Sequence, residues 1–241
     1  MIFHDVTQGS PEWKRMRLGL ATASCFHKII TPQKGELSKS AEHYASALVG
    51  EMITGENTEN FQSYWMERGG AMEAAASSSY EIITGLTLDR GGFITNDDMT
   101  IGASPDRRVR GDNGLIIGGV EIKCPSPETH IENLKRAIKH GAIDPSYIPQ
   151  VQGQILFGEF EFVDWFSYHP EMPPAHIRTY RDDVYCQKLE KALDDFIGIV
   201  NETIYLFKTI GFDVPARPIV MMREQELRKD NSEIPEYLMA G

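Results

Sequence analysis

Ser104-Pro105-Asp106, followed after fourteen residues by Glu121-Ile122-Lys123, puts two carboxylates and a lysine in an order suited to metal-assisted cleavage of a phosphodiester. Mg²⁺ is a hard ion that prefers oxygen and keeps several waters, so one or two carboxylates plus a substrate phosphate make an adequate site. An ion held there can activate water and offset charge on the leaving oxygen. The lysine supplies a positive point charge where the transition state gains negative charge. An E-x-K triplet is also an ordinary surface charge pattern, worth under about 1 kcal/mol. The flanking sequence has to separate the two.

Side chains alternate along a strand, so a strand over Leu115–Cys124 would place Glu121 and Lys123 on one face. Val120, Ile122 and Cys124 would then face a core. Ile101–Ala103 reads as a shorter strand, with turn chemistry at Gly111-Asp112-Asn113-Gly114 between the two. Pairing of these strands would bring Asp106 to Glu121. Short pairing near Arg107–Val109 and strands at Leu86–Phe93, Phe162–His169 and His176–Tyr180 complete a sheet. Ser10-Pro11-Glu12 opens a helix to about Leu18, and Thr22 or Ser24 can cap the next. Further helices are expected from Ser38 or Ser40, over Phe61–Ile83, Thr129–His140 and Tyr147–Phe157, and from Asp183 to about Lys208. This order predicts an α/β (α+β) chain with a central mixed sheet flanked by helices. No linker splits residues 1–241, which read as one domain, with 213–241 as an extension that packs on the body or a partner.

Composition narrows the possibilities. With 241 residues, 41% hydrophobic and 24% charged, the chain is ordinary for a globular domain. No apolar run approaches the ~20 residues of a membrane span, and the N-terminus lacks signal-peptide features. Cys25, Cys124 and Cys186 show no paired spacing, and the seven histidines form no metal-ligand spacing. A cytoplasmic protein is expected. The net charge of −11 argues against nonspecific coating of nucleic acid. Basic residues nevertheless cluster at Lys14, Arg15 and Arg17, at Arg107, Arg108 and Arg110, and at Lys135, Arg136 and Lys139. That distribution suits either a restricted nucleic-acid channel or a soluble protein with no such role.

A second segment runs from Gln8-Gly9-Ser10-Pro11-Glu12-Trp13 through Arg17-Leu18-Gly19 to Thr22-Ala23-Ser24. Arg17 offers a planar fork for phosphate, and Ser24 near a helix start adds hydroxyl and backbone donors. A surface helix followed by a capping serine is the plainer reading.

Taken together, these blocks resemble the bacteriophage lambda exonuclease family, the YqaJ-type viral recombinases of the PD-(D/E)xK nucleases. The matching segments are Trp13, Arg17-Leu18-Gly19, Thr22-Ala23-Ser24, Gly69 to Glu73, Ser104-Pro105-Asp106, Glu121 to Pro125 and Gln150-Val151-Gln152, in family order. The resemblance implies a restriction-endonuclease-like core. It implies Mg²⁺, two ions per site with Mn²⁺ as substitute, held by Asp106, Glu121, the Ile122 carbonyl and Glu73. Glu67 competes with Glu73 for the helical position, and Lys123 would stabilise charge or act as base. Arg17, Ser24 and Ser104 match a pocket for a 5′-terminal phosphate, and Gln150 and Gln152 match substrate-positioning glutamines. The implied activity is processive 5′→3′ degradation of linear double-stranded DNA to 5′-mononucleotides, leaving 3′ tails for single-strand-annealing recombination. A homotrimer, a single-strand annealing protein and a phage or prophage origin in a bacterial cell are further implications. An endonuclease or junction resolvase of the same superfamily, and a non-catalytic DNA-end-binding scaffold, remain open alternatives.

Overall fold

A computed structural model describes residues 1–57 and 64–232, with the side chains of 64–69 and 226–232 outside that description. Two mixed sheets form, rather than the single expected one. The smaller contains β1 (Ile2–His4), β2 (Ala21–Thr22), β4 (Phe93–Thr95) and β5 (Ile101–Ala103), in the order β1-β4-β5-β2. The larger contains β3 (Thr87–Arg90), β6 (Arg107–Arg110), β7 (Ile116–Lys123), β8 (Phe162–His169) and β9 (Met172–Tyr180), in the order β3-β6-β7-β8-β9.

Helices α1 (Pro11–Met16), α2 (Ala41–Thr54), α3 (Tyr64–Thr84), α4 (Pro127–His140), α5 (Ile148–Gly158), α6 (Asp183–Thr209) and α7 (Pro218–Ser232) surround them. The parallel β7–β8 pair requires a long crossover, which α4 and α5 supply. The first three residues of the expected Phe61–Ile83 helix lie outside the described residues, as does the tail beyond Ser232. Residues before that end pack on the body. Ile219 is buried with Met16 and Leu20, and Arg217 Nε donates to the Gly19 carbonyl at 2.9 Å.

Strand pairing departs from expectation in an instructive way. Strand β5 belongs to the small sheet, so the hairpin partner of β7 is β6, which begins immediately after Asp106. The expected Leu86–Phe93 strand divides into β3 and β4 at Gly91-Gly92, and the halves join different sheets. Close packing explains the glycine there. A Cβ on Gly91 would lie 1.7 Å from the Pro105 carbonyl oxygen, so the break closes directly against the Ser-Pro-Asp segment. The stretch after Thr22 is a 3₁₀ helix, Ala23–Lys28, and Thr22 makes no side-chain cap. Ser10 does cap α1, accepting from the Trp13 N–H at 3.1 Å.

Alternation in β7 holds. Val120, Ile122 and Cys124 bury against Ala76 and Tyr80 of α3, with Phe162 and Phe166. The opposite face carries Glu121 and Lys123 and is covered by α5.

A buried polar cluster fastens α3 to this sheet. Fully buried Asp164 on β8 accepts from Tyr80 Oη at 2.6 Å and from Arg178 Nε and Nη2 at 2.9 and 2.7 Å. Burial opposes its charge, but the hydrogen bonds from Arg178, the His176 ring nitrogen 3.2 Å away and the bond from Tyr80 outweigh burial and hold its carboxyl down at about 2. A depressed acid contributes stability above its unfolded pKa, and that stability disappears as pH falls through about 2. Arg178→Ala leaves the carboxylate without its counter-charge. The expected loss is about 3 kcal/mol, the low end for a buried pair, because Arg178 remains one-third exposed. The urea midpoint should fall with the m-value unchanged; a midpoint within error of wild type would exclude this fastening role.

Candidate active site

Local backbone geometry builds the carboxylate pair. The Asp106 N–H donates to the Val120 carbonyl at 3.1 Å, setting Asp106 beside the outer end of β7. Its Oδ2 accepts from the Ile122 N–H at 2.6 Å, and its Oδ1 from Gln8 Nε2 at 2.9 Å. A strand residue directs its N–H and C=O to the same side, so the Ile122 carbonyl also faces the Asp106 edge. Glu121 is 3% exposed, and its Oε1 accepts from Lys123 Nζ at 2.6 Å and from Gln150 Nε2 at 2.7 Å. Its Oε2 accepts from Gln154 Nε2 at 2.5 Å. The structure therefore brings Asp106, Glu121, Lys123 and Gln150 together.

Glu73 stands one step away. Arg107 is opposite Val120 on the α3 side of the sheet, where its Nη1 pairs with Glu73 Oε1 and donates to the Asp106 carbonyl at 2.6 Å. Glu67 lies on α3, but its side chain is outside the described residues. Gln152 requires a correction. Its Nε2 donates to the Tyr180 carbonyl at 2.9 Å and its Oε1 accepts from the Asp182 N–H at 3.0 Å, so it anchors the entry to α6 and faces away from the carboxylates. On a helix, residues four apart share a face and residues two apart do not. Gln154 is thus the partner of Gln150.

Burial first, and then the neighbouring Glu121 carboxylate, push Asp106 up to about 8 against the opposing pull of Lys123. For Lys123 burial favours the neutral amine, but Glu121 and Asp106 together outweigh it and hold the ammonium above its ordinary range. Its Nζ also lies 5.3 Å from the centre of the Tyr147 ring.

Among the described residues, no group of three or more His, Cys, Asp or Glu gathers closely enough to hold a metal ion. The donors nevertheless fit a hard divalent cation. Two carboxylates and a backbone carbonyl are oxygen donors, and a raised Asp106 carboxyl marks a place where a cation lowers electrostatic cost. Two buried amide oxygens, Gln8 Oε1 and Gln154 Oε1, also lack a hydrogen-bond partner next to the pair.

The second predicted cluster also assembles. Arg17 Nη2 donates to Thr22 Oγ1 and Ser24 Oγ, both at 3.3 Å. Its guanidinium lies 4.2 Å from the centre of the Trp13 ring, and Trp13 Nε1 donates to Ser104 Oγ at 3.0 Å. Ser104 Oγ in turn donates to the Gly92 carbonyl at 2.7 Å. Trp13 therefore bridges Arg17 to the Ser-Pro-Asp segment, and its packing role and its place in the cluster are one arrangement.

Sequence reasoning missed Gln8, Arg107 and Gln154. The i, i+4 spacing of Gln150 and Gln154 was an available signal, and Arg107 adjoins Asp106. Gln8 offered no signal of spacing, because only the path of the N-terminal turn brings it to Asp106.

Comparison with known proteins bears on family and fold. The YqaJ-like viral recombinase domain matches residues 12–161. The alkaline exonuclease LHK-Exo of Laribacter hongkongensis is 31% identical, with a TM-score of 0.72 over 84% of this chain and 98% of its own. A structure of the same enzyme with dAMP gives 32% identity, a TM-score of 0.72 and the same coverage of 84% and 98%. A phage-related exonuclease from Haemophilus somnus 129PT, 17% identical over 78% of this chain and 96% of its own, shares the fold with a TM-score of 0.61. No curated protein matches the chain. The two sheets with flanking helices thus form a PD-(D/E)xK-like fold, and the chain belongs to the YqaJ-like viral recombinase family, whose members are lambda-exonuclease-like.

Proposed function

We propose that this protein is a Mg²⁺-dependent exonuclease that degrades linear double-stranded DNA from the 5′ end, releasing 5′-mononucleotides and leaving 3′ single-stranded tails. One observation carries the reading. The Asp106–Glu121–Lys123 group and the Arg17–Ser24 group are separate clusters joined through Trp13 and the Ser104-Pro105-Asp106 segment. Similarity to LHK-Exo, an alkaline exonuclease, supports the same activity class.

Asp106, Glu121 and the Ile122 carbonyl would hold the metal, with Glu73 joining them. When bound, the cation supplies Lewis acidity and lowers the pKa of water. The chain's own groups do the rest. Lys123 stabilises charge on the scissile phosphate, and Gln150 and Gln154 keep the Glu121 carboxylate oriented. Arg17 and Ser24, with Ser104 behind Trp13, take the terminal phosphate. Hydrolysis breaks the P–O3′ bond of the first nucleotide and leaves a new 5′-phosphate on the second. Each cut therefore regenerates the group that Arg17 holds, which favours repeated cleavage along one strand. Family resemblance extends the proposal to two metal ions, with Mn²⁺ as substitute, a homotrimer and a single-strand annealing partner. Among the described residues no helix is long and apolar enough to cross a membrane.

Linear duplex with labelled 5′-phosphate or 5′-hydroxyl ends, incubated with Mg²⁺ or EDTA, tests the reading. Mononucleotides should appear rapidly from the phosphorylated strand, and EDTA or Asp106→Ala should abolish them. Indifference to the 5′ group would remove the role of Arg17 and Ser24. Cutting of closed circular DNA would instead indicate an endonuclease.

A further inference from the structure

Arg107 and Glu73 line one wall of a cleft of about 300 Å³ that also includes Thr7, Gln8, Arg90 and Asp106. Their side chains are 23% and 27% exposed, so both can turn within the cleft. Arg107 donates to the backbone carbonyl of Asp106 while its guanidinium takes a carboxylate oxygen of Glu73. Asp89, another acid of this cleft, is already paired with Arg110 on the neighbouring strand. Arg90 Nη1 reaches Thr7 Oγ1 at 3.3 Å, which places a second guanidinium on the lining of the cleft.

A guanidinium and a divalent cation are alternative partners for the same carboxylate oxygens, and they repel each other at close range. We propose that a divalent cation and Arg107 compete for Glu73, and that the guanidinium displaced by the cation turns into the cleft and contacts a phosphate of the bound strand. The inference rests on the metal-dependent reading of this site. Once Glu73 leaves, Arg107 retains the Asp106 carbonyl and presents a planar fork that matches phosphate oxygens. Metal loading would then create a phosphate contact that the metal-free protein lacks. It would do so one residue from the Asp106 carboxylate.

The test measures binding of a 5′-phosphorylated duplex across a salt series, in Ca²⁺ and in EDTA. Arg107→Ala should reduce the slope of log K against log salt by about 1 in Ca²⁺ and leave it unchanged in EDTA. Glu73→Gln releases Arg107 without metal. It should raise the slope by about 1 in EDTA, a gain absent from the Glu73→Gln/Arg107→Ala double variant. Without DNA, Mn²⁺ titration calorimetry should show Arg107→Ala tightening Mn²⁺ by about fivefold when Glu73 is present, the scale of one partly exposed ion pair. The gain should vanish in Glu73→Gln. Arg107→Gln serves in every arm if the alanine variant does not fold.

Equal slope changes in Ca²⁺ and EDTA, slopes unmoved in both, or equal Mn²⁺ gains in both backgrounds would overturn the exchange. Wild-type protein that binds no Mn²⁺ would overturn the metal reading and the exchange together.

Discussion

Lys123→Ala is expected to lower turnover about 10²–10³-fold, the scale of removing one positioned charge from a developing oxyanion. It should damage turnover more than duplex binding in Ca²⁺. The Lys123 ammonium is 2.6 Å from Glu121 Oε1 and is held charged, so it has no lone pair with which to accept a proton. In the proposed reaction its contribution is positive charge rather than base catalysis. Lys123→Arg separates the two. A guanidinium keeps the charge and cannot act as a base, so this variant should retain more activity than Lys123→Ala. Arginine and alanine variants that are equally inactive would point to proton transfer instead, and an alanine variant as active as wild type would remove the role altogether. Lys123→Ala also leaves the buried Glu121 carboxylate with two amide donors and no counter-charge. Its metal-free form should melt below wild type, and added Mn²⁺ should close most of that gap. Single-turnover rates and paired melting curves measure both effects.

The parts of this site legible in the sequence are those governed by short periods. Alternation in β7 placed Glu121 and Lys123 on one face and Val120 and Ile122 on the other, and the core bears this out. Ser10 was readable as a cap because its oxygen reaches only three residues ahead. Contacts set by long-range packing were not readable. Strand β5 was expected beside β7, yet Gly91-Gly92 breaks the preceding strand and sends β5 to another sheet, leaving β6 to place Asp106. Gln152 matched a motif, but helical geometry turns it toward Tyr180 and Asp182 and gives its expected place to Gln154. The Arg107–Glu73 pair joins residues on different elements, and no local pattern encodes it.

Metal affinity should rise about tenfold per pH unit up to about pH 8 and flatten above it, because Asp106 is pushed up to about 8 from an ordinary 3.8. Below that value a cation must displace one proton from the carboxyl, so Mn²⁺ binding should weaken about 50-fold from pH 8 to pH 6. Stability runs the other way. Between the unfolded value near 4 and the folded value near 8, the native state binds a proton that the unfolded state has lost. The metal-free fold therefore loses stability as pH rises through that window. A cation replaces the missing positive charge, so the increase in melting temperature on adding Mn²⁺ should be larger at pH 8 than at pH 6. Calorimetry in two buffers of different ionisation enthalpy reads the linkage directly. Proton release should be close to one per ion at pH 6.5 and should disappear well above pH 8. Asp106→Asn should bind Mn²⁺ more weakly and lose this slope. An affinity independent of pH from 6 to 9 in the wild type would mean that Asp106 is already ionised, with Lys123 and the backbone N–H of Ile122 outweighing its burial and the charge of Glu121.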